Sequence, residues 1–311
     1  MPLSAWFLVG PTAVGKTAVA QRLAERKQVT ILSADSMMVY RGMDIGTAKP
    51  TVAERGTVPY WGLDCVTPDQ PFSAGDYLRV LRNEVARANV PPAACIVAGG
   101  TGLYISCLRH GLREGPATDP VLRQTLETLH REGGVPALQL ELEHRAPGRL
   151  SELADPKNPR RLIRAIELAQ QGVPPRTWPE TAPSGPPLTG LRCSPDALAA
   201  NIVQRVNGMY ESGLLEEAAA LRQNYPKLSD TAGQAIGYTE AWAHLDGHCT
   251  RSQAMADTIR RTRQLAKRQG TWFRHQAQVN WVDIQPGQSV DDIADAVEAQ
   301  WKRYGPSPLQ L

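Results

Sequence analysis

Near the start of the chain, Gly10-Pro11-Thr12-Ala13-Val14-Gly15-Lys16-Thr17 matches the pattern G-x-x-x-x-G-K-[ST] at every position. No other feature of the 311 residues limits the fold so strongly. The glycines let the backbone curl until successive N–H groups converge on phosphate oxygens. The helix that follows adds the positive end of its dipole, and the lysine supplies a point charge. Such a loop needs a strand to deliver it and a helix to receive it. Ala5-Trp6-Phe7-Leu8-Val9 reads as that strand, and Val19 and Leu23, one turn apart behind Lys16, begin that helix. The loop predicts binding of a diphosphate or triphosphate. It leaves open what is transferred.

The rest of the first third supplies more of the same architecture. Val29-Thr30-Ile31-Leu32 is a second apolar run that stops at Ser33-Ala34-Asp35. Ser73 and Asp76 form a capping-box-like pair ahead of a helix with Tyr77, Leu81 and Val85 on one face. Pro91-Pro92 breaks that helix, and Ala93-Ala94-Cys95-Ile96-Val97-Ala98 reads as a buried strand ending in Gly99-Gly100-Thr101-Gly102. Strands alternating with helices predict an α/β fold, a parallel sheet flanked by helices. An aromatic content of 6% agrees with helices packed on a modest sheet.

The middle third changes character. Asp119-Pro120 and Asn158-Pro159 each read as an N-cap followed by proline at the first helical position. The first helix carries Leu122, Leu126 and Leu129 and is expected to end at Gly133-Gly134; the second carries Leu162, Ile163 and Ile166 and ends at Gly172. Six prolines between Val173 and Gly190 mark an irregular connection. Residues 118–187 are therefore expected as a mainly helical insertion domain within a core of 1–117 and 188–311. The last third reads as helices, one holding Ile202, Val206 and Met209 and a long one from about Thr250 to His275. A strand at Val279–Asp283 and a helix with Ile293, Val297 and Trp301 follow.

No apolar run approaches the roughly 20 residues of a membrane span, so no membrane partner is expected. Five cysteines, scattered and without a C-x-x-C pair, point to a reducing cytoplasm and away from cysteine-built zinc. His244, His248 and Cys249 are not expected to bind zinc either, because Asp246-Gly247 breaks the helix between them. A net charge of +3 does not by itself announce nucleic acid, but its distribution is uneven. Between Arg251 and Arg274 seven basic residues face one acid, Asp257. Helical spacing puts Arg260, Arg263, Lys267 and Arg274 on one stripe, and Ile259, Ala266 and Phe273 on another. Such a stripe is either a solvated face or a surface for RNA phosphates, and Arg160, Arg161 and Arg164 add a second basic cluster.

Phosphoryl transfer wants a second acid at a strand end to hold Mg²⁺, yet the strand at 93–98 ends in glycines. The strand-terminal acid nearby is Asp35. Between Ser33 and Ser36 it is either a turn cap or a catalytic carboxylate, and spacing alone does not choose.

The block Ser33-Ala34-Asp35-Ser36-Met37, continuing through Val39-Tyr40-Arg41-Gly42-Met43-Asp44-Ile45-Gly46-Thr47-Ala48-Lys49-Pro50, resembles the bacterial tRNA dimethylallyltransferase (isopentenyl-tRNA transferase) family. So do Gly99–Tyr104, Arg164-Ala165-Ile166-Glu167, Gly237-Tyr238 and Thr262–Gln269 with Thr271-Trp272-Phe273-Arg274. The resemblance covers nearly the whole chain. It implies a P-loop NTPase-like fold and transfer of a dimethylallyl group from its diphosphate to the exocyclic amine of the adenosine 3′ of the anticodon. The nucleotide-type loop would then hold the prenyl diphosphate, through Gly10, Pro11, Thr12, Ala13, Val14, Gly15, Lys16 and Thr17, with Arg205 as a further ligand. Asp35 falls on the general base, with Thr12 and Lys16 also catalytic, and Mg²⁺ would be the cofactor, held through the Thr17 hydroxyl. Contacts to the tRNA anticodon stem-loop are implied for Asp35, Ser36, Met37, Met38, Thr101, Arg123, Arg160, Arg161, Leu162, Ile163, Arg164, Gly237, Tyr238, Arg263 and Lys267.

Three departures stand out. Met38 replaces a usual Gln, Tyr60-Trp61 a usual His pair, and Lys157–Arg161 lacks a common Asp; all three put tRNA contacts in question. The chain ends at Leu311 without the zinc finger of eukaryotic relatives, as expected of the bacterial form. A cytoplasmic monomer is expected. Two other functions fit the residues: a P-loop small-molecule kinase, and a prenyltransferase acting on free adenine nucleotides.

Overall fold

A computed structural model describes residues 3–88, 94–112, 119–153, 155–173 and 186–311. The expected break at Pro91-Pro92 and most of the proline-rich connection lie outside the described residues. By its internal contacts the chain divides into two units, Met1–Leu112 with Pro183–Leu311, and Arg113–Ala182.

The larger unit is built on a sheet of β1 (Ser4–Val9), β2 (Ile31–Ala34), β3 (Tyr60–Trp61), β4 (Ala94–Gly99), β5 (Leu188–Arg192), β6 (Val279–Asp283) and β7 (Ser307–Pro308). The first six run parallel in the order β3-β2-β4-β1-β5-β6, and β7 pairs antiparallel with β1. Alternation along the strands sorts side chains to two faces. Leu8, Ile31 and Ile96 face one core with Val19 and Leu23, while Phe7, Val9, Leu32 and Val97 face the other. Both faces are therefore covered, as parallel sheets require.

The helices are α1 (Lys16–Lys27), the single turn α2 (Val52–Arg55), α3 (Ala74–Arg87), α4 (Gly102–His110), α5 (Pro120–Arg145), α6 (Pro159–Gln170), α7 (Pro195–Glu211), α8 (Leu214–Asn224), α9 (Tyr238–Leu245), α10 (Arg251–Gln276) and α11 (Val290–Tyr304). The Ser73/Asp76 box forms: the Ser73 hydroxyl accepts the Asp76 N–H, and the Asp76 carboxylate accepts the Ser73 N–H at 2.9 Å. On the opposite face α11 covers α1, with Ile293, Val297 and Trp301 in its core and Lys27–Glu298 at 2.7 Å on its rim.

The helix after Asp119 ends at Gly133-Gly134 as expected. Gly134 takes φ 66°, ψ −160°, and a second helical segment follows through Pro136 to Arg145, so α5 is two segments joined at a kink. Pro136 tolerates this because it sits in the first turn of the resumed segment, where its missing N–H costs nothing. One expectation is corrected: the irregular stretch read up to Gly190 contains β5, which pairs with β1 and β6.

In the smaller unit α5 and α6 bury Leu126, Leu138, Leu142, Leu162, Ile163 and Ile166 against one another. Leu162 and Ile163 were expected to touch tRNA; their side chains are core, 0% and 4% exposed, because they lie on the apolar stripe of α6. The exposed positions beside them are Arg160 and Arg161. The wholly buried carboxylate of Glu167 is held by Arg123 at 3.2 Å and Arg164 at 2.9 Å.

Candidate active site

The phosphate loop leaves β1 and enters α1 through three unusual backbone positions: Gly10 at φ 148°, Ala13 at 65° and Gly15 at 95°. At Gly10 a side chain is also excluded by contact, since a Cβ would lie 2.6 Å from the Leu191 carbonyl oxygen on β5. Ala13 holds a left-handed conformation that costs a non-glycine residue free energy. Its carbonyl accepts from Asn201 Nδ2 at 3.1 Å, which ties α7 to the strained turn. Val14 is buried with Leu8, Val19 and Leu191 in the core beneath the loop, which anchors the turn from below.

The Lys16 ammonium curls back to donate to the Pro11 carbonyl at 2.6 Å. Burial pushes its pKa from 10.5 down to about 7; Asp35 opposes that shift and Arg205 adds to it. Burial likewise lowers Arg205, against the pull of Asp35. Arg205 reaches across from α7 and donates to the Thr47 carbonyl at 2.9 Å. Two cations whose charge is poorly solvated thus converge on the loop, an arrangement that an anionic ligand would relieve.

Three cavities open around this point. The most enclosed of them lies behind the loop, with Ala20, Ile31, Met38, Tyr60 and Leu63 on its apolar wall and Thr12, Lys16, Thr17, Asp35 and Arg205 on its polar wall. An outer mouth of 1360 Å³ shares Lys16, Thr17, Pro50, Tyr60 and Arg205 with it. A crevice of 1340 Å³ opens on the other side, where Ser36, Met37, Thr101, Arg261 and Arg268 contribute. The enclosed cavity and the crevice meet at Thr12, Asp35, Arg205 and Gln269.

Asp35 directly follows β2 at this seam. One carboxylate oxygen accepts the Met37 N–H at 2.9 Å, so the residue caps its own turn while its surface still faces both cavities. The Thr101 hydroxyl accepts the Ser36 N–H at 3.0 Å, which fixes the far side of that turn.

Other expected contacts fall elsewhere. Met38 and Tyr60 belong to the enclosed cavity, not to the crevice, and the Met38 sulfur accepts from Ser33 Oγ at 3.7 Å. The chain turns at Asp35–Met38, so neighbours in sequence face opposite sides. Gly237 and Tyr238 are buried and offer no surface to RNA. The Tyr238 hydroxyl bonds Glu217, whose carboxylate accepts the Ile45 N–H at 2.9 Å and the Gly46 N–H at 3.2 Å. These residues set the 44–47 turn whose Thr47 carbonyl orients Arg205. Lys49, with its ammonium buried, bonds the Tyr40 carbonyl, Asp44 and Asp64, and so closes the same segment from behind. On α10, Arg263, Lys267 and Arg274 are exposed while Ala266 and Phe273 are core; Arg260 is paired with Asp257 at 2.9 Å.

Sequence reasoning assigned no role to Glu217, Asn201 or Gln269. For Gln269 a signal existed: it follows Thr262 and Ala266 on the inward stripe of α10, where an amide needs partners.

A phosphate loop at the carboxyl edge of a parallel sheet, with a second crevice opening on the same carboxylate, defines a P-loop α/β transferase. The sequence profile of the IPP transferase family matches residues 38–276. The chain belongs to that family, the tRNA dimethylallyltransferases. A relative of that name from Azoarcus sp. is 39% identical over 293 residues, 90% of this chain and 89% of its own length. One from Thermus thermophilus is 39% identical over 272 residues, 86% of this chain and 89% of its own. The crystal structure of the tRNA isopentenylpyrophosphate transferase from Bacillus halodurans superposes with a TM-score of 0.66 at 34% identity, covering 96% of this chain and 97% of that one. A eukaryotic dimethylallyltransferase acting on tRNA shares the fold, with a TM-score of 0.70 at 20% identity over 98% of this chain and 77% of that one.

Proposed function

We propose that the chain transfers a dimethylallyl group from dimethylallyl diphosphate to the exocyclic amine of the adenosine 3′-adjacent to the anticodon in tRNA. The observation that carries this reading is the seam at Thr12, Asp35, Arg205 and Gln269, where the enclosed cavity meets the crevice. A pocket with an apolar wall opposite Lys16 and Arg205 suits a five-carbon diphosphate, and a crevice bordered by Arg261 and Arg268 suits RNA. The names of the relatives agree with both.

In this reaction the amine nitrogen attacks C1 of the prenyl group while the C1–O bond breaks and the diphosphate leaves with its electrons. Asp35 takes the amine proton. Lys16, Arg205 and the loop N–H groups neutralise the departing charge, and Thr12 stands beside the bond that breaks. The Thr17 hydroxyl, exposed in the first turn of α1 and lining the enclosed cavity, is an oxygen donor of the kind Mg²⁺ prefers beside substrate phosphates. When bound there, Mg²⁺ would neutralise diphosphate charge. The adenine must leave its stack to reach Asp35, so the crevice takes a flipped base. Ser36, Met37 and Thr101 border that base, Arg263 and Lys267 meet tRNA phosphates, and Arg123, Arg160, Arg161 and Arg164 of the insertion at 118–187 add contacts. Among the described residues no helix is long and apolar enough to cross a membrane. A monomer in the cytoplasm suffices for this chemistry.

The direct test offers labelled dimethylallyl diphosphate with tRNA, with AMP and with neither. Label is expected in tRNA alone. Label in AMP would move the assignment to free nucleotides, and micromolar binding of ATP without prenyl diphosphate binding would favour a kinase.

RNA contact by α10 has its own test. Charge reversal at Arg263 and Lys267 should weaken tRNA binding and flatten its salt dependence, with diphosphate binding unchanged. Each lost phosphate contact reduces the log–log salt slope by about one. An unchanged slope returns these side chains to a solvated face.

A further inference from the structure

Gln269 lies on the inward stripe of α10 with Thr262, Ala266 and Phe273, and carries the longest polar side chain of that set. Both ends of its amide are used. Oε1 accepts the Thr12 N–H at 2.8 Å, and Nε2 donates to the Gly100 carbonyl at 3.1 Å. One planar group thus joins the phosphate loop, the turn after β4 and the basic helix, segments far apart in sequence. Gly100 makes room for it: a Cβ there would lie 2.4 Å from Nε2.

The bond matters because of where Thr12 sits. Thr12 lines both the enclosed cavity and the crevice, as Gln269 does. A β-branched side chain has few χ1 choices, so holding the Thr12 backbone leaves its hydroxyl little freedom. The Thr12 N–H is committed to Gln269 in the free protein and points to α10, not into the anion cradle. Loss of Gln269 therefore removes no phosphate ligand. It releases the residue at the junction of the two cavities.

We infer that Gln269 is a positioning residue that holds Thr12 at the point of transfer through its amide tether. The inference rests on the transfer reading for its catalytic consequence, while the tether itself can be measured without any transfer. Gln269→Ala should lower the single-turnover rate of prenyl transfer to tRNA at least thirtyfold, with saturating donor. Affinity for inorganic pyrophosphate, measured by calorimetry, should change less than threefold. In a Thr12→Ala background the same substitution should cost less than threefold more, because residues acting through one another are not additive. Gly100→Ala, which pushes the amide from its other side, should reproduce the loss. Hydrogen exchange of the Thr12 amide should rise at least tenfold in Gln269→Ala.

Each readout can overturn the inference. Losses that multiply in the double variant would show that Gln269 acts independently of Thr12. Equal losses in rate and pyrophosphate affinity would make the role one of general loop stability. Unchanged Thr12 exchange would remove the tether whatever the activity, and wild-type protein inert toward tRNA would instead refute the transfer reading.

Discussion

Asp35→Asn should reduce kcat for prenyl transfer roughly 10²–10⁴-fold, the range for loss of a general base. The substitution keeps the side chain's size. One amide oxygen can still accept the Met37 N–H that Asp35 now accepts at 2.9 Å, so the turn at the end of β2 survives. What disappears is the capacity to take a proton from the amine. Affinities for tRNA and prenyl diphosphate should change far less, since Ser36, Thr101, Lys16 and Arg205 line the cavities independently. Melting temperature should stay near wild type, which separates this role from a cap worth about 1 kcal/mol. Single-turnover rates within threefold of wild type would eliminate Asp35 as the base.

Lys16→Ala should cut transfer by about 10²-fold or more, in line with removal of one charge-stabilising donor. Its effect on the free protein should run the other way. Burial lowers the folded lysine from 10.5 to about 7, so the unfolded chain binds the extra proton between those values. Wild-type stability contributed by this group therefore rises with pH across that window, and charging the folded site costs free energy below it. The alanine variant lacks that slope, and near neutral pH it should melt no lower than wild type. Thermal unfolding from pH 7 to pH 10 checks the sign. An unchanged rate with a normal pH slope would mean that the Lys16 ammonium faces water.

The phosphate-loop side of the site was legible because it is local. Gly10–Thr17 is one contiguous curl between a strand and a helix, and Asp35 stands at the end of the next apolar run. The opposite side depends on which way side chains turn after the strand ends, where period-two alternation no longer applies. That is why Met38 and Asp35, three residues apart, had to be sorted by the structure. Tyr238 shows a different limit: a motif marks a residue that the family needs, without saying whether it touches substrate or holds up what does. Its ring is 0% exposed and its hydroxyl braces Glu217 against the 44–47 turn. β5 escaped notice because Leu188-Thr189-Gly190-Leu191-Arg192 carries glycine at its centre and follows a proline-rich run. A partner strand settles what propensity does not, and β1 and β6 are that partner.

The core of the smaller unit has consequences beyond packing. Among the described residues, the cluster of Leu126, Leu138, Leu142, Leu162, Ile163 and Ile166 shares no member with the two clusters that flank the sheet. Cooperativity follows buried contacts, so Arg113–Ala182 has the makings of a foldon that opens on its own free energy. Truncating one of its leucines drains stability from that foldon and leaves the sheet's global unfolding free energy in place. Sequence drift in Arg113–Ala182 can then proceed under a constraint separate from the one on the sheet and its phosphate loop.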